Sequence, residues 1–144
     1  MAETLKDMLP SLLLGLIAFI FAANFSSLLF GWYWAYPWFD IPMHILGGAW
    51  LALLFFYLDG RRGNSVLFVK GLLFILVVGI LWEIFEYSVD IIVSHRYTFV
   101  TVPSQILVDS VYDLINDLVG GTIVLLFRSY FANTSFRMSP SLKK

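Results

Sequence analysis

Seven side chains in this 144-residue chain pair acid–base or metal-ligating chemistry with apolar surroundings: Asp40, His44, Glu83, Glu86, Asp109, Asp113 and Asp117. Their spacing sorts them onto helix faces. Asp40 and His44 stand four residues apart, so on a helix they point the same way. Glu83, Glu86 and Asp90 follow i, i+3, i+7, and Asp109, Asp113 and Asp117 follow i, i+4, i+8 with Asn116 alongside. Ionisable groups in lipid are costly, so they face a cavity, a partner or an ion and are functional candidates by default.

So many carboxylates cannot all stay ionised at close range without compensation. They can bind cations, or some can keep their protons, which suits a proton path. Oxygen-rich ligation favours Mg, Ca or Mn, and a histidine among carboxylates also admits Zn or Fe. The four-helix diiron pattern needs Glu-x-x-His twice. This chain has Glu83-x-x-Glu86 and one histidine in an apolar stretch, so that pattern does not match and the metal's identity stays open.

On this reading Glu83, Glu86, His44, Asp113 and Asp109 are ligands of a divalent metal cation. Glu83, Asp113 and His44 double as the groups that carry out catalysis, while Asp40, Asn116 and Asp117 support the ligands from behind. Trp38 and Arg96 are the expected substrate contacts. Plainer roles stand beside these. Asp40, Asp90 and Asp109 also suit solvated helix ends, and acids at helix N-termini, as Asp40 and Asp109 would be, complement the dipole. The remaining groups suit a hydrogen-bonded polar core that holds a bundle together. His95 reads as a solvated loop residue.

The elements that must position these groups follow from composition. The chain is 60% hydrophobic and 13% charged, against about 25% charged in soluble domains. That points to an all-α, polytopic membrane protein with one membrane domain over residues 1–144. Four transmembrane helices are expected, at about 9–30, 42–58, 66–87 and 105–127, followed by a flexible basic tail over 128–144. The first apolar run is too long for a signal-peptide core and reads as a mature helix. With no cysteine, thiolate metal sites, disulfides and thiol nucleophiles are excluded.

Four crossings put both termini on one side, together with the 59–65 loop. Lys6, Arg61, Arg62, Lys70, Arg128, Arg137, Lys143 and Lys144 fall on that side and Arg96 on the other. The positive-inside rule therefore makes the termini cytoplasmic, and the plasma (inner) membrane is the expected location. Trp32-Tyr33-Trp34-Ala35-Tyr36-Pro37-Trp38-Phe39 lies on the outer side, as an interfacial anchor or as a lid over a lipid pocket. The loop around Thr98 to Val102 reads as a short extended segment or as a stretch that dips back into the interface.

Depth brings the acids together. His44 and Asp113 each lie 14 residues from the inner end of their spans, about 21 Å. Glu83 lies 17 residues from Val66, about 25 Å. Asp117 is deepest, near the midplane. There is also a local echo: Asp40, His44, Gly47 and Gly48 have the relative spacing of Asp113, Asp117, Gly120 and Gly121. The glycine pairs would let helices approach closely beneath the polar site.

The ordered set Asp40-x3-His44, Glu83-x2-Glu86 and Asp109-Ser-x2-Asp113-Leu-x2-Asp117-x2-Gly120 resembles the VanZ-like membrane proteins and a related branch of small bacterial inner-membrane proteins. The resemblance spans roughly residues 39–127. VanZ-like sequences more often carry Glu-x2-Gln and an Arg shortly before the last Asp-x3-Asn. Here Glu86 replaces the Gln and Arg96 lies farther upstream, which places the chain nearer the inner-membrane branch than to VanZ's link with teicoplanin resistance.

The leading expectation is metal-dependent chemistry on a lipid or lipid-linked cell-envelope substrate. The alternatives are a proton- or cation-coupled transporter or channel subunit, and a structural accessory protein. Membrane lipids are expected partners, a homo-oligomer is compatible, and no nucleic acid is expected. The orientation makes a direct prediction. Alkaline phosphatase fused after Asn64 should be inactive and fused after His95 active; the reverse pattern would invert the topology.

Overall fold

The computed structural model describes residues 2–59, 65–89, 92 and 103–137. Lipid offers backbone groups no partner, so a spanning segment must satisfy its own hydrogen bonds as a helix or a closed barrel. Every described element is helical: α1 (Ala2–Phe30), α2 (Trp32–Ala35), a 3-10 turn (Pro37–Phe39), α3 (Asp40–Asp59), α4 (Ser65–Val89) and α5 (Pro103–Arg137). Four segments are long and apolar enough to cross a membrane: Met8–Ser27, Pro37–Asp59, Leu67–Val89 and Leu107–Tyr130. This is the expected all-α, four-span architecture.

Local sequence sets the boundaries. Gly31 takes a left-handed conformation (φ 67°) and turns the chain out of α1. The aromatic run then folds as one helical turn and a 3-10 turn, closed by Ala35 N–H to Gly31 O at 3.0 Å, Tyr36 N–H to Trp32 O at 2.7 Å and Phe39 N–H to Tyr36 O at 2.9 Å. α3 starts at Asp40, earlier than the span expected from residue 42. Asp40 therefore lies in the first turn, where its charge suits the dipole. Pro42 and Pro103 also sit in first turns, where a missing N–H is harmless.

The tail expectation needs correction. α5 continues to Arg137, past the span end expected at residue 127. The Ser129 hydroxyl donates to Leu125 O at 2.9 Å, and the Arg128 guanidinium lies 4.0 Å over the Phe56 ring. The Arg128 contact ties the start of this segment to α3. Residues 138–144, the 60–64 part of the inner loop and the expected extended segment at 98–102 lie outside the described residues.

α3 is the hub. It packs most extensively on α5, and α1 and α4 also dock on it. Close approach of α3 and α5 depends on two glycines. A Cβ at Gly48 would run into the Asp117 carbonyl, and a Cβ at Gly120 would run into the Ile45 carbonyl. Small residues at such crossings let backbones meet, which matters in lipid because packing, rather than burial from water, drives helix association. Toward the terminal face, Leu51, Ala52, Phe56, Leu67, Ile75 and Leu125 form a continuous apolar core. Gly71 and Gly121 admit Leu125 and Ile75 side chains at the α4–α5 contact. α1 is held to α3 by the Trp50 indole, whose Nε1–H donates to Leu13 O at 2.9 Å.

This packing predicts a sharp contrast between glycines. Gly48→Val should destabilise the bundle by more than about 3 kcal/mol, because backbone rather than a flexible side chain blocks the new atoms. Gly15→Val meets nothing within 4 Å of its Cβ and should be neutral. Thermal unfolding in detergent checks both; equal midpoints for the two variants would contradict the packing.

Candidate functional site

Three helices bring polar groups to the half of the bundle farthest from the termini. The first turns of α3 carry Asp40 and His44. The last two turns of α4 carry Glu83 and Glu86. The upper part of α5 carries Asp109, Asp113 and Asp117. α3 and α5 run in the same direction, so the close approach at Gly48 and Gly120 lays Asp113 and Asp117 against His44.

His44 is the centre. It is 6% exposed and has a carboxylate at each ring nitrogen. Nε2 lies 3.6 Å from Asp40 Oδ1 and 3.7 Å from Asp113 Oδ1, while Nδ1 lies 3.4 Å from Asp117 Oδ1. Asp113 and Asp117 are also buried, at 7% and 5% exposure, and Asp40 is partly open. Two triplets each offer three ligand atoms within 4.8 Å of one another: Asp40–His44–Asp113 and His44–Glu83–Glu86. Both contain His44, so α4 faces the same imidazole from another side.

The distances discriminate between kinds of contact. Direct N–H···O hydrogen bonds fall at about 2.7–3.2 Å. Two donors on one metal, each at about 2.0–2.6 Å, lie about 3–4 Å apart for ordinary coordination angles. The 3.6 and 3.7 Å separations at Nε2 match the second case. The 3.4 Å separation of Asp117 Oδ1 from Nδ1 also exceeds the hydrogen-bond range and places a third carboxylate on the opposite side of the ring.

Asp117 occupies a slot made for it. A Cβ at Gly79 on α4 would lie 3.0 Å from Asp117 Oδ2, and one at Gly47 on α3 would lie 3.5 Å from Oδ1. Glu83 is supported from α5, where Ser110 lies within hydrogen-bonding reach of its carboxylate. Its Oε1 is buried and has no hydrogen-bond partner.

Charge is the unresolved quantity in this arrangement. Asp40, Glu83, Glu86, Asp113 and Asp117 carry −5 when ionised, and a fully protonated His44 would return only +1. Among the described residues, Lys6, Lys70, Arg128 and Arg137 lie toward the opposite half of the bundle. A −4 cluster at lipid depth calls for bound cations or retained protons.

The remaining expected site residues are distributed unevenly. Asp40, expected as support, joins His44 and Asp113 directly. Asp109, expected as a ligand, is exposed one turn above Asp113 and in neither triplet; α5 begins at Pro103, so Asp109 stands in its second turn and not at its N-terminus. Asn116 is half-buried about 100° round the helix from Asp117. Trp38 is 61% exposed and packs at 6.0 Å against Tyr36. Asp90, His95 and Arg96 lie outside the described residues.

Two contributors were not singled out from the sequence: Gly79 and Ser110. Gly79 sits four residues before Glu83, on the same helix face, and that spacing was its one legible signal. No curated protein and no solved structure matches the chain. A family model matches residues 7–134, a stretch that contains all four spans and the whole polar cluster. The chain therefore belongs to the family described as "Predicted membrane protein (DUF2238)".

Proposed function

We propose that this multi-pass membrane protein binds a divalent cation between α3, α4 and α5 and uses it in chemistry on a lipid or lipid-linked envelope substrate. The observation that carries the reading is the environment of His44, with two carboxylates at metal-sharing distance from Nε2 and a third at Nδ1. Asp40, His44 and Asp113 form the primary ligand set, and Glu83 and Glu86 offer further oxygens from α4. Such a cation would polarise a phosphoryl group or activate water. Asp117 would fix the imidazole orientation. The partly open Asp40 and exposed Glu86 make the rim through which a headgroup would enter.

The rest of the reading is consistent with this assignment. Basic residues concentrated near the termini favour a plasma-membrane protein with cytoplasmic termini, which directs the site outward. The ordered Asp–His, Glu–Glu and Asp–Asp–Asp elements keep a VanZ-like relationship as a finer proposal within the membrane family. Exposed Trp38, and Arg96 in the neighbouring loop, remain the proposed lipid contacts. A homo-oligomer is compatible with the lipid-facing surface.

A proton- or cation-coupled transporter is favoured by one feature, the stagger of Asp109, Asp113 and Asp117 along α5. The packing beneath argues against it. Below Asp117 the Gly48 and Gly120 backbone contacts close the α3–α5 seam, and the core from Leu51 to Leu125 continues it with apolar side chains. A purely structural polar core is the third reading. It predicts that Glu83→Gln and Asp113→Asn chiefly reduce folding.

Metal analysis of purified protein by mass spectrometry tests the proposal. Wild-type protein should carry near-stoichiometric metal, and a folded Glu83→Ala/Asp113→Ala variant should lose it. Wild-type protein that stays metal-free after reconstitution with Mg, Mn, Ca, Zn and Fe would contradict the proposal and favour the transport or structural reading.

A further inference from the structure

The donors around His44 fall into two sets. Asp40, His44 and Asp113 offer one set of ligand atoms within 4.8 Å of one another, and His44, Glu83 and Glu86 offer another. The acids of the first set come from α3 and α5, and those of the second from α4 alone. Donors stand about 2.0–2.6 Å from a bound ion, so even opposite donors lie within about 5 Å of each other. Each set meets that limit, and the acids of the two sets are joined only through the imidazole. A neutral imidazole keeps one free lone pair, so it ligates one cation. Nε2 faces the first set, with Asp40 Oδ1 at 3.6 Å and Asp113 Oδ1 at 3.7 Å.

The α4 acids lack a positive partner of their own. Glu83 and Glu86 are three residues apart and share a helix face, where like charges repel. Glu83 Oε1 is buried and has no hydrogen-bond partner. Among the described residues, Lys6, Lys70, Arg128 and Arg137 lie toward the opposite half of the bundle. The charge of the cluster points the same way. Asp40, Glu83, Glu86, Asp113 and Asp117 carry −5 when ionised, so beside a neutral imidazole one divalent cation leaves −3 and a second leaves −1. Uncompensated charge at lipid depth is costly, which favours the second ion.

We propose that the site is a two-cation centre, with one ion held by Asp40, His44 and Asp113 between α3 and α5 and a second held by Glu83 and Glu86 of α4 beside the imidazole. This rests on the cation reading and adds an ion to it. Paired cations stand about 3.5–4 Å apart and take the oxygens of one phosphoryl group between them. A phosphate or pyrophosphate ester is therefore the headgroup chemistry that fits. The two positions differ. The first has a nitrogen donor and buried ligands, so it fills first and admits Zn or Fe. The second is all oxygen, with Glu86 exposed, and suits Mg, Ca or Mn.

Mn2+ titration of the full-length protein in nanodiscs of zwitterionic lipid tests the inference by electron paramagnetic resonance. The signal of free Mn2+ counts the bound ions, and spin coupling reports whether two of them are neighbours. Wild-type protein should bind two Mn2+ per chain in two steps, with coupling appearing in the second. Glu86→Ala changes an exposed position and should lose the second ion and the coupling while leaving the first step unchanged. Glu83→Gln should do the same. One Mn2+ per wild-type chain would overturn the second ion and leave the single-cation reading standing. Two ions without coupling, or coupling that survives in both variants, would overturn the assignment to α4. Loss of both ions in Glu86→Ala would make the acids one ligand set and overturn it too. Wild-type protein that takes up no Mn2+ would overturn the cation reading and this inference with it.

Discussion

The backbone-to-backbone approach of α3 and α5 is the constraint on which the rest depends. Gly48 meets the Asp117 carbonyl and Gly120 meets the Ile45 carbonyl, so neither position has room for a side chain. This crossing fixes the relative height of the two helices. His44, four residues before Gly48, then faces Asp117 and Asp113, three and seven residues before Gly120, because these positions lie one and two turns from the crossing on the same helix faces. A wider separation would leave a buried imidazole and two buried carboxylates apart in an apolar medium, each without compensation. The glycines therefore serve electrostatics as much as packing. The same contact closes the α3–α5 seam at the level of Asp117.

Within that frame the polar groups differ in what surrounds them. Asp117 is enclosed by α3 and α4 glycines and holds one side of the imidazole. Asp40 and Asp113 share the other side, and Glu83 contributes an oxygen that is buried and unpartnered. Glu86 and Asp109 are exposed at the rim. The acids are thus enclosed toward the middle of the bundle and exposed toward its far end.

Much of this was legible in the sequence, for physical reasons. Length and apolarity identify a membrane helix without reference to its neighbours, so the four spans emerge almost at their observed limits. Helical spacing and depth were enough to bring Asp40, His44, Glu83, Glu86, Asp113 and Asp117 into one region. What escaped depends on relations between helices. Gly79 matters because Asp117 of another helix needs its space, and Ser110 matters because Glu83 of another helix lies within its reach. Asp40 and Asp109 look alike as first-turn acids, yet Asp40 shares a face with His44 while Asp109 stands a turn too high. α5 outran the span expected to end at 127, and Arg128, read as polar tail, stacks over Phe56 of α3, a contact between helices that sequence spacing does not reveal.

The central claim is that the imidazole of His44 ligates a cation together with acids from two helices. The chain has two histidines, so a His95→Gln background leaves His44 alone to report. Pulsed electron paramagnetic resonance of bound Mn2+ in that background detects nitrogen in the coordination sphere directly. The account predicts modulation from one imidazole nitrogen, which changes when histidine is labelled with 15N and disappears in His44→Gln. Bound Mn2+ without nitrogen modulation, or modulation that survives the loss of His44, would contradict it.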